Sequence, residues 1–294
     1  MKSRSLTVAA CALAVATAAP LLAQPAQPIT WVAYTEGKPG KTSDWLKLTL
    51  KYDAPLYEKL MKDGVVRSWG VATPINHRPG FAWNLLTYVT VDNWAGVEKW
   101  AGTSMQAMAA RPAAETKAID AAYQAVEESG RHHFDEVVRN TILVPGKPDA
   151  RIAYFYVGHY MARPGQESAA TQLVKELITP LGDKLVADGA IIGYGLHEQV
   201  LHGQLQPDRK WTHRVWYALA DLGGIDKLQA AVGGSMTPAL MARAAEVFDM
   251  SAHTDDVLMV LHQGGLPAPA APPPPAPAKK APAAAMKKAP VEKP

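Results

Sequence analysis

Part of this chain is written twice, 125 residues apart. Pro55, Leu56, Lys59, Leu60, Asp63, Gly64, Gly70 and His77 match Pro180, Leu181, Lys184, Leu185, Asp188, Gly189, Gly195 and His202 without a gap, and Pro39-Gly40 matches Pro164-Gly165 in the same register. With small gaps the match continues. Tyr88 and Asp92 align with Tyr217 and Asp221, Lys99 with Lys227, and His133, Asp135 and Val137 with His253, Asp255 and Val257. Chance similarity does not keep its order over such a length, so the pattern is read as a duplication of one unit of about 120 residues. The units are placed at 24–146 and 147–264.

Each copy has the same periodicity. An apolar, β-prone run (Ile29 to Thr35; Ile152 to Met161) meets a Pro-Gly turn and then a helical stretch with Leu46, Leu50, Leu56 and Leu60, or Leu173, Leu177, Leu181 and Leu185, at helical spacing. Pro55 and Pro180 are expected to kink or divide that helix. Asp63-Gly64 and Asp188-Gly189 end it, because glycine takes the left-handed conformation past a helix C-terminus without steric cost. Two strands follow in each copy, Val65 to Ala72 and Trp83 to Val91, then Ala190 to His197 and Trp211 to Ala220. Asp92 and Asp221 stand where helix N-caps belong, Pro112 and Pro238 at N1 positions, and a last strand runs from Val137 to Val144 or from Val257 to His262. The expected order is β-α-β-β-α-β, twice, in an α+β chain. Such a sheet carries helices on one face and leaves the other open, so two copies can bury each other's open faces.

This order, the duplication and the length resemble the dimeric α+β barrel superfamily, in which two ferredoxin-like modules close their sheets into a barrel, in some members within one chain. The resemblance covers about residues 29 to 263. It implies a lumen or a pocket between helices and sheet. Members range from cofactor-free monooxygenases and isomerases to haem enzymes, so the resemblance admits haem as a cofactor without selecting it.

The ends of the chain differ from its middle. Lys2 and Arg4 precede an apolar run from Leu6 to Leu22 that closes in small residues at Ala23, the pattern of a cleavable signal peptide spanning 1–23. Thr7, Thr17 and Pro20 interrupt the run, which falls short of the roughly 20 apolar residues of a membrane span. Cys11, the single cysteine, lies inside it. The apolar stretch before Cys11 is too short for a lipoprotein signal, so the mature chain is expected to lack disulfides, thiolate nucleophiles and covalently attached haem. Periplasmic or secreted localisation follows, with no transmembrane segment after cleavage.

From Gly265 to Pro294 the sequence turns to Pro, Ala and Lys. Such a segment has too little apolar surface to offset its ordering entropy and is read as a disordered tail. Its lysines could also touch anionic envelope polymers. The formal net charge of the whole chain is +3, but Lys2 and Arg4, with the four net positive charges of the tail, exceed that sum. The folded part is therefore mildly acidic, which argues against a nucleic-acid-binding face.

No motif fixes a reaction. Gly37-Lys-Pro-Gly-Lys-Thr42 lacks the first glycine of a phosphate loop, since Thr35 stands there, and neither Gly-x-Ser-x-Gly nor His-Glu-x-x-His occurs. The repeated His-x-Asp pairs, His133/Asp135 and His253/Asp255, are the catalytic candidates: residues i and i+2 of an extended chain point the same way, and a carboxylate beside an imidazole fixes its tautomer. A polar turn at a strand entry is the plainer account of them. His77 and His202 form a second repeated pair in loops. The second copy adds His159, His197, His213 and His262, and the first copy has Tyr34 opposite His159 and Ala72 opposite His197. His159, His197 and His213, with Trp216 and Tyr217 as walls, are the ligand-binding candidates, able to hold a metal or haem iron if strand alternation turns them to the open face. The aromatic strands suggest a pocket for a small apolar or aromatic ligand. Three readings follow: a non-catalytic or weakly catalytic ligand-binding barrel, a haem-associated or cofactor-free oxygenase, and an envelope protein acting through its tail.

Overall fold

The computed structural model describes residues 27–76, 83–128, 134–147, 149–201 and 211–265. His77, His133, His202, the N-terminal apolar run and the Pro/Ala/Lys tail lie outside them. Eight strands and seven helices occur among the described residues, in the order β1 (Ile29–Thr35), α1 (Thr42–Tyr52), α2 (Ala54–Lys62), β2 (Ser68–Pro74), β3 (Leu85–Val91), α3 (Trp94–Ala109), α4 (Ala113–Val126), β4 (Phe134–Val144), then β5 (Tyr154–Ala162), α5 (Glu167–Ala187), β6 (Gly193–Leu201), β7 (His213–Leu219), α6 (Gly223–Ser235), α7 (Pro238–Val247) and β8 (Phe248–Gln263). No described helix is long and apolar enough to cross a membrane.

Local chemistry sets the element ends. Gly64 and Gly189 both take φ of +67° after α2 and α5, and Gly40 and Gly165 take +73° and +78° in the turns that open the helical stretches. A side chain at these angles would clash with the backbone, which is why Asp-Gly and Pro-Gly recur there. The prolines act differently in the two halves of the chain. Asp53 and Pro55 separate α1 from α2, whereas α5 runs on through Pro180. Asn93, rather than Asp92, caps α3 by accepting the Gly96 N–H at 3.0 Å, and Thr237 caps α7 through the Leu240 N–H at 3.2 Å. Asp221 makes no cap: Leu222 occupies the N-cap position of α6. Pro238 is the first residue of α7 as expected, while Pro112 is the residue before α4.

All strand pairs are antiparallel and the sheet closes on itself in the order β1-β3-β2-β8-β5-β7-β6-β4. The first half contributes β4-β1-β3-β2 and the second β8-β5-β7-β6. Two seams, β2 with β8 and β4 with β6, join the halves. The open faces therefore become the wall of one barrel, and every strand edge finds a partner.

Alternation along each strand then sorts side chains into three apolar clusters. One lies between the first half's helices and sheet (Trp45, Leu60, Trp69, Val71, Val89), and a second in the corresponding place in the other half (Leu173, Leu185, Tyr194, Leu196, Leu219). The third is inside the barrel, from Val32, Tyr34, Ala72, Trp83, Leu86, Val157 and Leu258, with Tyr88, Phe155 and Trp216 against it.

The register aligns the halves residue by residue. Val32 and Gly70 both pair with Tyr88, and Val157 and Gly195 both pair with Trp216. Trp216 is thus the counterpart of Tyr88. The sequence alignment of Tyr88 with Tyr217 is one residue out of phase.

Candidate functional site

The barrel encloses a cavity of about 400 Å³. At one end Arg67, Ser68, Lys147, Gln263 and Gly264 form its rim. The middle is apolar and aromatic. Tyr88 meets Phe155 edge to face at 5.9 Å, and Phe155 meets Trp216 in the same way at 5.9 Å. Gly70 and Gly195 make room for this belt. A Cβ on Gly70 would lie 2.5 Å from the Tyr88 hydroxyl, and one on Gly195 2.6 Å from the Trp216 ring, so both rings lie along the wall where a side chain would otherwise stand.

The far end is polar and tightly bonded. Arg214 of β7 is 5 % exposed and Glu136 of β4 is 3 % exposed. The Arg214 guanidinium donates to Glu136 Oε2 and, at 2.9 Å, to the Tyr34 hydroxyl. Tyr34 donates to Glu136 Oε2 at 2.7 Å and the Trp211 indole to Oε1 at 3.0 Å. Burial alone would raise the Glu136 pKa, but the Arg214 charge and these donors outweigh it and hold the carboxyl below its usual range. Arg214 also sits 4.0 Å above the Trp211 ring, a cation–π contact, and its Nε points at His159 Nδ1 across 3.4 Å. His159 Nε2 lies 3.0 Å from Asp256 Oδ2. Tyr34–Glu136 in one half and His159–Asp256 in the other occupy matched register positions.

Three of the five expected ligand residues line the lumen: His159, His197 and Trp216. His213 and Tyr217 face the other way, as strand alternation requires, since a strand that turns Trp216 inward turns both neighbours outward. His213 is held by Thr171 Oγ1 at 3.0 Å and Thr212 Oγ1 at 2.8 Å beneath α5, and Tyr217 packs in the second half's outer core. The described members of the expected catalytic pairs, Asp135, His253 and Asp255, are also off the lumen. His253 Nε2 and Asp255 Oδ1 do come within 3.3 Å, but on the outer face of β8 beside Tyr160. Asp135 is on the outer face of β4 near Tyr57, next to Glu136, which turns inward to Tyr34 and Arg214. His133 lies outside the described residues. The carboxylates that turn inward are the next residues along, Glu136 beneath Arg214 and Asp256 on the cavity wall. Arg214, Tyr34 and Trp211 were not anticipated. The available signal was a lone arginine on the strand, immediately before the apolar run from Val215 to Leu219, since a charge is buried only when paired.

Among the described residues, the inward-facing donors do not suit haem. The inward-facing described histidines are His159 and His197. Both His159 nitrogens are engaged, and His197 Nε2 accepts the Trp216 indole N–H at 3.0 Å. Neither imidazole offers a lone pair to an axial position. Among the described residues no group of three or more His, Cys, Asp or Glu could hold a metal ion.

Solved structures share this architecture. A candidate monooxygenase from Fusobacterium nucleatum superposes with a TM-score of 0.53 at 13% identity, over 81% of this chain and 94% of that one. Another from Lactobacillus acidophilus gives 0.52 at 7% identity, over 81% and 96%. The shared fold is a closed eight-stranded antiparallel barrel with the helices outside it, the dimeric α+β barrel architecture. No family model matches the chain, and no curated protein matches it.

Proposed function

We propose that the barrel is a binding protein for a small, flat, largely apolar molecule, held against the Tyr88–Phe155–Trp216 belt. The observation that carries this reading is the cavity of about 400 Å³, with apolar walls and a few placed polar groups, the usual make-up of a small-molecule site. Titration with 2-methoxynaphthalene, followed by tryptophan fluorescence, tests it. One-site saturation that is lost in Trp216→Ala supports the reading; no saturable binding overturns it.

A second reading, cofactor-free oxygenation, is favoured by one further feature. The His159 imidazole, backed by the Asp256 carboxylate, lies on the same lumen, and its Nδ1 is held by the long 3.4 Å contact from Arg214, which a bound phenol displaces to give up its proton there. The structures with this fold described as candidate monooxygenases are compatible with that role. An oxygen electrode with 1,5-dihydroxynaphthalene should record consumption that disappears in His159→Phe; the absence of consumption in the unaltered protein leaves binding alone.

The same proposal takes the halves as duplicated ferredoxin-like modules, supported by their matched register and by the 125-residue repeat. It places the protein in the periplasm or outside the cell after cleavage near Ala23, with the lysine-bearing tail free to meet anionic envelope polymers. Mass spectrometry of the protein recovered from cells tests cleavage: a mature chain starting near Gln24 supports it, and an intact Met1 or a lipidated Cys11 overturns it.

A further inference from the structure

At its rimmed end the cavity wall changes character from one half of the barrel to the other. Thr30, Ser68, Thr90 and Asn140 of the first half stand at the register positions that Phe155, Gly193, Ala218 and Val260 fill in the second. The four polar residues all line the cavity, in the strand phase that also turns Val32 and Tyr88 inward. One side of the mouth is therefore hydroxyl and amide, and the other is apolar.

Asn140 Nδ2 donates to the Pro28 carbonyl at 3.0 Å and to Thr30 Oγ1 at 2.9 Å, and Thr30 Oγ1 lies 2.9 Å from Thr90 Oγ1. One hydrogen joins the two hydroxyl oxygens, so whichever threonine supplies it, the other keeps a hydrogen to donate. Arg67, whose backbone N–H donates to the Thr90 carbonyl at 2.8 Å, stands on the same rim as Lys147, and both side chains are exposed and line the cavity. Asp92 accepts from Arg67 Nε, which leaves the terminal guanidinium nitrogens, and Lys147 forms no ion pair among the described residues. The wall's other arginine, Arg214, is already bonded to Glu136 and Tyr34 at the far end. Asp256, the carboxylate among the described lining residues, stands at that end too, beside His159. An anion entering the lumen is thus drawn to the rim and repelled from the depth.

We infer that the ligands of this lumen are flat aromatic monocarboxylates, bound with the ring on the Phe155 and Trp216 side and the carboxylate at the mouth, among Lys147, Arg67 and the Thr30–Thr90 corner. This rests on the lumen-binding reading above and names the class of ligand. Charge-assisted bonds from two cations and a hydroxyl suit a carboxylate, which only accepts. The orientation is single because the second half has Phe155 and Ala218 where the first has the hydroxyls. Burial of the ring supplies most of the affinity, and the rim supplies the selection, which weakens with salt because its cations are exposed.

The test compares 2-naphthoate with 2-naphthamide, whose outlines match and whose charges differ. At low salt the acid should bind about fivefold to tenfold more tightly than the amide. In the double variant Arg67→Met, Lys147→Met that advantage should vanish while the amide binds as before. An amide that binds the unaltered protein as tightly as the acid, or an advantage that survives the double variant, would overturn the inference and leave the lumen-binding reading standing. If 2-methoxynaphthalene and both of these ligands fail to bind, the lumen-binding reading fails and this inference with it. Salt gives a check that needs no variant: the acid's advantage should shrink as ionic strength rises to about 0.5 M. An advantage indifferent to salt would overturn the role of the rim cations even if the double variant fails to fold.

Discussion

The two halves put different chemistry into the same backbone positions. Where the first half has Tyr34, Leu86 and Glu136, the second has His159, Arg214 and Asp256, each at the matching register of its sheet. The first half alone would bury a carboxylate with only neutral donors, Tyr34 among them. The cation that neutralises it, Arg214, comes from the other half. Electrical balance thus belongs to the closed barrel rather than to either half. Matched positions such as Gly70/Gly195 shape the lumen, and unmatched ones such as Ala72/His197 give its two sides different chemistry.

Giving the second half the first half's residue, Arg214→Leu, attacks this comparison most directly. Glu136 would then be buried without its cation, and the expected loss is about 3–5 kcal/mol of stability in a urea titration. Arg214→Leu combined with Glu136→Gln should recover much of it. A single variant as stable as the parent would show that the halves are not interlocked by charge.

The matched glycines should respond alike. In Gly195→Ala the new methyl meets the Trp216 ring and the Ile142 carbonyl oxygen, and in Gly70→Ala it meets the Tyr88 ring and the His262 carbonyl oxygen. Each should cost about 1–3 kcal/mol by overpacking and shrink the lumen. A large effect in one half and none in the other, by thermal melt, would break the equivalence.

Acid should act through the second half. All the described histidines lie there, and His197 and His213 have lowered pKa values because burial disfavours the charged ring. The unfolded chain takes up protons near pH 6.5 while these folded rings do not. Stability is therefore full above that pH and falls as pH drops below it, by at most about 1.4 kcal/mol per pH unit for each such histidine. Removing His197 as His197→Phe should flatten the dependence between pH 6.5 and 5 in denaturation midpoints. The smallest expected effect is at the caps: Asn93→Ala and Thr237→Ala should each cost about 1 kcal/mol, one cap in each half.

Much of this architecture was legible in the sequence because it depends on local steric demands. Asp-Gly and Pro-Gly pairs mark backbone angles that only glycine takes easily, and their repetition gave the order of elements. The site was harder, because it depends on strand phase. A strand's side chains reverse with each residue, so choosing Asp135 over Glu136, Asp255 over Asp256, or Tyr217 beside Trp216 places a group outside the barrel instead of inside. Bulges between Asn140 and Ile142 and between His159 and Met161 shift the phase further, and no composition signal marks them. Arg214 escaped because Tyr34 of β1 and Glu136 of β4 are remote in sequence and meet it only inside the closed barrel.

That closure also governs how the chain can reach its native state. The seam between β2 and β8 pairs Val71 with His262, so the barrel cannot be completed until nearly the whole described chain has emerged during synthesis. Until then β2 keeps an unpaired edge next to an uncovered apolar face, and the halves meet only through long-range pairings of the kind that slow folding. The interval before the last strand arrives is when this molecule is most exposed to aggregation, and a chain truncated before β8 would remain in that interval indefinitely.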